Sequence, residues 1–213
     1  MIRPYEAADW DGVGRVCVQT GDSGGDATGM YANDDLLPAI YAYPYVVFEP
    51  DLAWVVVADS AEDDATDGEV VGYILGTSNV TALVEWWAGD WAPRFEELLP
   101  VDDGWTGADL EVRGRGEHPE DQLNEVVRKH PGEFHIDLLP AAQGHGLGRT
   151  LIAIFAAALR DRGVQRLSIG VGAANQDALA FYRHLGFEEL ERKVAESGEV
   201  LAYRMGAQVA DLV

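Results

Sequence analysis

The residues from Gln143 to Gly148 form a glycine-rich loop between a predicted strand and a predicted helix. The segment from Phe134 to Leu139 is a short apolar run of the kind that forms a buried strand. Apolar residues at helical spacing follow the loop, namely Leu147, Leu151, Ile154, Phe155 and Leu159. Glycines at such a junction let the backbone turn tightly and leave its N–H groups uncovered. Together with the free N–H groups of the first helical turn, they predict an anion-binding site.

Two common phosphate-binding motifs do not fit this loop. A Walker A loop needs a Lys-Ser or Lys-Thr pair after its glycines, and none follows here. The dinucleotide fingerprint counted from Gly144 needs a glycine at position 149, which is Arg149. The pattern that fits is Q-x-x-G-x-G. It resembles the pyrophosphate-binding loop of the GCN5-related N-acetyltransferase (GNAT) family, whose members hold acetyl-CoA. Taken alone, a glycine-rich turn of this kind can also be only a turn.

A second motif supports the same resemblance. The segment from Asn175 to Phe187 follows the pattern N-x-x-A-x-x-F-Y-x-x-x-G-F, which the GNAT family carries after its fifth strand. One helix and one strand separate it from the glycine loop, as in the family. The resemblance is firm over residues 134–190 and looser over 1–80. There Ile2-Arg3-Pro4 resembles the opening strand, and the segments 54–58 and 70–76 resemble the central hairpin.

A narrower resemblance lies in the segment from Tyr31 to Tyr45, which continues to Phe48-Glu-Pro50. This segment is similar to the acetyltransferase-like domain at the C-terminus of the animal O-GlcNAc hydrolases, and Ile136-Asp137-Leu138 supports the likeness. The chain would then be a free-standing, bacterial-type relative of that domain. This keeps open an alternative class, a non-catalytic acyl-CoA-binding module or interaction domain.

The GNAT resemblance implies where acetyl-CoA binds. The strand would offer backbone groups near Leu138 and Leu139 to the pantetheine amides, and the glycine loop would bind the pyrophosphate. Asn175 would bond the pantetheine arm or merely cap its own helix. The implied cofactor-binding residues are Leu138, Leu139, Gln143, Gly144, His145, Gly146, Leu147, Gly148, Arg149, Thr150, Asn175 and Tyr182.

Acetyl transfer from a thioester to an amine requires that the amine lose a proton and that the departing thiolate gain one. The resemblance implies that Tyr182 is the acid, since it occupies the Tyr position of F-Y-x-x-x-G-F. Gly186 suits the left-handed position that ends this helix, and Phe187 would then pack against Tyr182 and fix its ring. Asp137 shares a strand face with His135 and Leu139 and lies just before the expected pantetheine contacts. Its carboxylate would accept the amine's proton, hold a cationic substrate, or serve only as a structural acceptor. The sequence does not name the amine.

Charge limits the possible partners. The chain has 213 residues and a formal net charge of −22, which argues against nucleic acid and anionic membranes. The charge indicates solubility or a salty cytoplasm, or else a basic acceptor substrate. CoA is itself a polyanion, but exposed charges are screened beyond about 8 Å at physiological salt. The donors of the glycine loop and Arg149 can therefore outweigh the distant carboxylates.

The order of predicted elements favours an α+β fold with a mixed, mostly antiparallel sheet flanked by helices. The family resemblance implies that the strands at 134–139 and 165–171 run parallel and splay apart. We expect one acetyltransferase-like domain over 1–213 with an atypical insertion at about 80–133, in which 100–116 is predicted to be loop. Trp87 and Trp91 in this insertion share a helix face, which favours a core or interface role over an acceptor-binding wall. The acidic segment 59–68 is predicted to be a hairpin turn.

Two further expectations concern location and metals. Cys17 is the single cysteine, so no internal disulfide can form, and its apolar surroundings favour a packed thiol. The first residues lack the charged start and apolar run of a signal peptide, and the longest apolar helical run is too short to span a bilayer. We therefore expect a cytoplasmic protein. The histidines are scattered and predict no metal site.

Overall fold

The computed structural model describes residues 1–58 and 68–213. The predicted turn at 59–68 therefore lies almost wholly outside the described residues. The strands are β1 Ile2–Pro4, β2 Ala53–Val57, β3 Val70–Thr77, β4 Glu133–Leu138, β5 Arg166–Gly172, β6 Glu188–Val194 and β7 Val200–Gln208. The helices are α1 Trp10–Gln19, α2 Pro38–Tyr41, α3 Tyr43–Phe48, α4 Val80–Trp86, α5 Ala92–Leu98, α6 Gly107–Glu117, α7 Glu125–Lys129, α8 Leu147–Asp161 and α9 Gln176–His184. A π-helical segment, Trp87–Trp91, joins α4 to α5.

The strands form two sheets. The first has four strands in the order β1-β2-β3-β4, and the second has three in the order β5-β7-β6, with antiparallel neighbours throughout. The sheets meet at a parallel bridge between Gly132 and Leu167. There the Ser168 N–H donates to the Gly132 carbonyl at 2.8 Å. Beyond this bridge the described β4 and β5 share no ladder, so the predicted parallel start and splay are confirmed.

Apolar side chains pack on both faces of the first sheet. One cluster joins α1, α2 and α3 to the segment from Leu83 to Leu99, and the other joins α8 and α9 to both sheets. In α8 the buried positions recur at helical spacing, at Leu151, Ile152, Phe155, Ala156 and Leu159, which is the stripe expected of a helix packed on a sheet. The splayed gap between β4 and β5 therefore lies beside α8 and its N-terminus.

The region 80–133 contains more helix than the sequence pattern predicted. Trp87 and Trp91 are buried, and their indole N–H groups donate to the carbonyls of Gly116 and Ala39, each at 3.0 Å. Their predicted core role is confirmed. The predicted loop at 100–116 is wrong in its second half, because α6 occupies 107–117. Thr106 caps α6 by accepting from the Asp109 N–H at 3.3 Å, and Asp109 bonds back to the Thr106 N–H at 2.6 Å.

Two negative findings apply to the described residues only. Within 1–58 and 68–213, no helix combines the length and the apolar character that crossing a membrane would require. In the same ranges, no group of three or more His, Cys, Asp or Glu side chains is arranged to hold a metal ion.

Candidate active site

The glycine loop is fixed to the end of β4 by a side chain. The Nε2 group of Gln143 donates to the Leu138 carbonyl at 2.9 Å, and the Gln143 N–H donates to the Pro140 carbonyl at 3.2 Å. Gly144 and Gly146 then adopt left-handed backbone angles, with φ of 79° and 75°. L-residues reach this region at a cost, so glycine is the natural residue at both turns. Gln143 therefore positions the loop rather than only lining it.

The loop exposes a continuous run of backbone donors. Among the described residues, the N–H groups from Gly144 through Arg149 have no hydrogen-bond acceptor, and the first bond of α8 runs from the Thr150 N–H to the Gly146 carbonyl at 3.2 Å. A Cβ atom built on Gly144 or Gly146 meets nothing within 4 Å, so the space in front of the donors is open. Free N–H groups at the positive end of a helix dipole suit an anion of pyrophosphate type.

The remaining loop residues divide into exposed and packed positions. His145, Arg149 and Thr150 are exposed, whereas Leu147 and Gly148 are half-buried. A Cβ on Gly148 would lie 3.1 Å from Cζ of Phe181, so this glycine allows α8 to approach α9 closely. Only the exposed side chains and the backbone are available to a ligand.

The edge of β4 that faces the gap also carries free backbone groups. The Leu139 N–H donates to the Val71 carbonyl at 2.9 Å, which shows that the odd-numbered residues of β4 bond to β3. By strand alternation, Ile136 and Leu138 point their backbone groups toward the gap. The Leu139 carbonyl is also occupied, by the Ala142 N–H at 2.8 Å. Among the described residues, the Leu138 N–H thus has no acceptor whereas the Leu139 N–H is already bonded, and the sequence did not single out Ile136, whose backbone lies on the same edge.

Asn175 caps α9. Its Oδ1 atom accepts from the Ala178 N–H at 3.0 Å, a bond that satisfies one free donor of the first turn. The capping half of the prediction for Asn175 is confirmed. A contact of this side chain with pantetheine stays a prediction.

Tyr182 is held by the cap at the other end of α9. Gly186 has a φ of 89°, the Phe187 N–H donates to the Tyr182 carbonyl at 3.0 Å, and the Gly186 N–H donates to the Arg183 carbonyl at 3.1 Å. These two bonds define a Schellman motif. The rings of Tyr182 and Phe187 pack with centroids 5.3 Å apart. The Gly-Phe pair therefore fixes the Tyr182 ring, as the sequence motif predicted.

The Tyr182 hydroxyl remains available. The residue is buried, yet this hydroxyl makes no hydrogen bond with any residue that the structure describes. Burial raises the pKa of Tyr182, and the nearby Asp137 charge raises it further, so the phenol is protonated at neutral pH. It is a proton donor without an acceptor in the described part of the chain.

Asp137 lies on β4 and is partly buried. It accepts a hydrogen bond from the Tyr73 hydroxyl at 2.5 Å, across the β3–β4 pairing of these two residues. Burial raises the pKa of Asp137, while the bonds from Tyr73 and Thr20 and the nearby His135 oppose that rise.

Several polar residues that bond Glu133, His135 or Asp137 of β4 were not predicted. Tyr73 comes from β3, Tyr45 from α3 and Arg204 from β7, and the chain separates them widely. Arg204 donates to the Glu133 carboxylate at 2.6 Å, which links β7 to β4 where the strands begin to splay. No spacing rule could have grouped these residues, because strand register and helix docking bring them together. Cys17 is buried as predicted, and burial raises the pKa of its thiol.

Comparisons with known proteins agree with this geometry. The profile of the Acetyltransferase (GNAT) family matches residues 30–187. A mycothiol acetyltransferase of Kytococcus sedentarius is 32% identical over 156 residues, which cover 72% of this chain and 47% of that protein. The crystal structure of SsHAT is 34% identical, with a TM-score of 0.85 and 98% of each chain covered. The structure of yncA, a putative acetyltransferase from Salmonella typhimurium with its cofactor acetyl-CoA, is 17% identical with a TM-score of 0.53, covering 98% of this chain and 93% of that one.

The chain belongs to the GNAT acetyltransferase family, since the family profile spans most of its length. The fold agrees, with mixed α and β elements and splayed strands at the glycine loop. The chain spans about half the length of the mycothiol acetyltransferase that it matches.

Proposed function

We propose that this protein is an acetyl-CoA-dependent N-acetyltransferase that moves the acetyl group to a primary amine by direct attack. The observation that carries the proposal is the run of free N–H groups from Gly144 through Arg149 at the head of α8. It opens beside a splayed sheet edge and a tyrosine hydroxyl that has no acceptor in the described part of the chain. The family of the chain and the acetyl-CoA held by the Salmonella relative in fold support it.

The chain's residues fit the cofactor in three places. The N–H groups of the glycine loop would hold the pyrophosphate, with Arg149, His145 and Thr150 beside it. The Leu138 N–H would bond a pantetheine amide, and Asn175 would border the arm. When bound, acetyl-CoA supplies an activated acyl group and a thiol leaving group.

The two predicted catalytic residues suit the two proton transfers. The Asp137 carboxylate, held by Tyr73, would attract the charged amine and assist its deprotonation. The Tyr182 hydroxyl would give its proton to the departing thiolate, because it is protonated at neutral pH and no described residue accepts that proton. We take the acceptor to be a primary amine of cationic character, consistent with the net charge of −22.

The second class, a non-catalytic CoA-binding module, is favoured by one observation. The Asp137 carboxylate already accepts from Tyr73 and could be structural. The narrower likeness of residues 31–50 to the acetyltransferase-like domain of the O-GlcNAc hydrolases points to the same class. A single domain over 1–213 and a cytoplasmic location stay predictions.

Binding and turnover measurements together distinguish these classes. Calorimetry with CoA tests the loop, and labelled acetyl-CoA incubated with a panel of amines, polyamines and peptides tests transfer. We expect CoA to bind and at least one amine to be acetylated. Binding without transfer to any amine would favour the non-catalytic module, and absence of binding would contradict both classes.

The Tyr182→Phe variant should lose roughly tenfold or more in kcat on any acetylated amine, because it removes the proton donor for the thiolate. CoA affinity and thermal stability should be unchanged, since no described residue bonds the hydroxyl. Steady-state kinetics and calorimetry measure both. Full activity in this variant would assign protonation of the thiolate to water.

The Arg149→Ala variant should weaken CoA binding by less than tenfold, and the loss should shrink as salt is raised from 0.15 to 1 M, because the screening length falls from about 8 to about 3 Å. Arg160→Ala is the matched control. Arg160 is exposed at the far end of α8, so its removal changes the net charge equally without touching the loop. Equal losses in the two variants would mean that Arg149 acts only through the overall charge.

A further inference from the structure

Three ionisable residues alternate along one face of β4, namely Glu133, His135 and Asp137. Asp137 faces Tyr73, and Glu133 is paired with Arg204. His135 lies between them and is partly exposed. The ring of Tyr45 packs edge-on against it with centroids 4.8 Å apart, and the ring of Tyr41 lies 5.6 Å away. The reaction steps described above leave His135 without a role.

The hydrogen bonds around Tyr45 determine where the imidazole carries its proton. The Tyr45 hydroxyl donates its single proton to the Glu133 carboxylate at 3.0 Å. That carboxylate can only accept, because it also receives the Arg204 guanidinium at 2.6 Å. Nε2 of His135 lies 3.1 Å from the same hydroxyl oxygen. Since the hydroxyl proton is already used, Nε2 must be the donor of this bond.

A neutral imidazole that donates from Nε2 has a lone pair on Nδ1. No described residue hydrogen-bonds Nδ1 of His135. The residue therefore has a fixed tautomer, a free acceptor atom and partial access to solvent, one strand repeat from Asp137. A fixed tautomer with a free lone pair open to solvent suits a general base.

We propose that His135 is the proton acceptor for the incoming amine, with Tyr45 and Glu133 as positioning residues that hold its Nε2–H tautomer. The proposal deepens the acetyltransferase function and rests on it. It also assigns separate roles to the two residues of this strand. Asp137 attracts the cationic amine, and His135 removes its proton through Nδ1, directly or across one water.

The charges that face the ring are consistent with this role. Burial lowers the pKa of His135, although Glu133 and Asp137 oppose that change and Arg204 adds to it. The imidazole is therefore neutral at physiological pH and ready to accept. Once it takes the proton, the imidazolium lies between two carboxylates on its own strand, while the rings of Tyr41 and Tyr45 border it from α2 and α3.

The charged amine first loses one proton to Nδ1 of His135, which passes it to solvent. The neutral amine nitrogen then bonds to the acyl carbon as the carbon–sulfur bond breaks. A second N–H proton passes to Nδ1 of His135, and the Tyr182 hydroxyl proton passes to the sulfur. The proton on His135 then returns through solvent to the Tyr182 phenolate, which restores both residues. The products are one amide, one thiol and the one proton released to solvent.

Two substitutions separate catalysis from structure. In His135→Gln, the side-chain amide nitrogen can take the place of Nε2 and keep the bond to Tyr45, but the group cannot act as a base. In His135→Asn, the shorter amide loses that bond as well. We expect both variants to bind CoA like the wild type and to lose roughly a hundredfold or more in kcat. A purely structural histidine would leave His135→Gln active and His135→Asn impaired.

The tautomer can be observed without any acceptor amine. Long-range ¹H–¹⁵N spectra of the histidine-labelled protein, assigned by comparison with His135→Gln, should show a neutral His135 with its proton on Nε2 at pH 7. In Tyr45→Phe the Nε2 proton loses its acceptor, so the tautomer populations should shift and kcat should fall. A charged ring, or a proton on Nδ1 in the wild type, would overturn the proposal.

The outcomes separate this inference from the function on which it rests. If the wild type transfers acetyl to no amine, the proposed function and the role of His135 fail together. If the wild type is active and His135→Gln is equally active, only the role of His135 is wrong. Loss of transfer with retained CoA binding and an Nε2–H tautomer supports both.

Discussion

Replacing Asp137 with Asn is expected to lower turnover by roughly a hundredfold or more while CoA affinity is retained. The substitution keeps the shape of the side chain, and its amide oxygen can still accept from the Tyr73 hydroxyl. It removes the negative charge that would attract the amine and stabilise the imidazolium of His135. Fixed charge at a site of developing charge is commonly worth this much. Steady-state kinetics on the best acceptor, with calorimetry on CoA, test the prediction.

Tyr73→Phe is the matched control for Asp137. It removes the 2.5 Å hydrogen bond to Asp137 but leaves the charge in place. We expect some loss of stability, since a partly buried carboxylate loses a donor, and a much smaller loss of turnover than in Asp137→Asn. If Tyr73→Phe is as inactive as Asp137→Asn, then the role of Asp137 is to stabilise the β3–β4 pairing and not to bind the substrate. Normal turnover in Asp137→Asn would show that Asp137 takes no part in the reaction.

Replacing Gly146 with Val should weaken CoA binding by at least tenfold, which corresponds to about 1.4 kcal/mol. The new side chain would occupy the open space in front of the loop donors. A β-branched residue at a φ of 75° also strains the backbone, so part of the effect would come from a changed loop shape. Calorimetry on the folded variant measures the loss.

Gly163→Val is a control that introduces similar backbone strain at a position away from the glycine loop. Gly163 has a φ of 77°, follows the C-terminal end of the same helix, and has nothing within 4 Å of an added Cβ. The two variants should lose similar stability in thermal unfolding, yet only Gly146→Val should lose CoA affinity. Equal CoA affinities in the two variants would contradict the assignment of the glycine loop to the cofactor.

The sequence predicted those parts of the site that depend on local geometry. Gly144 and Gly146 must turn left-handed before α8, Gly186 must end α9, and Phe187 must then pack on Tyr182. Each of these features follows from residues a few positions apart. The splay of β4 from β5 was predicted only through the family resemblance, because periodicity identifies strands without saying which strands pair.

Long-range features were not predictable in the same way. Tyr73 meets Asp137, and Tyr45 meets His135, only because of strand register and the docking of α3. Local signals also misled in places. Gly and Asp in 100–116 suggested a loop, but Thr106 and Asp109 form a capping box that begins α6. Asp9 is of a type that favours helix caps and directly precedes α1, but its carboxylate accepts from Arg3 at 2.6 Å and from the Glu6 N–H at 2.8 Å instead.

The free edge of β4 links ligand occupancy to the lifetime of the folded protein. Ile136 and Leu138 direct backbone donors into the gap, where no strand among residues 1–58 and 68–213 receives them. A ligand that bonds there extends the edge of the sheet. Because it binds only the folded protein, it raises the free energy of unfolding by about 2.7 kcal/mol when it is present at a hundred times its Kd. Resistance to heat and to proteases should accordingly rise with the concentration of that ligand. A low ligand concentration should then shorten the lifetime of the protein even when its rate of synthesis is unchanged.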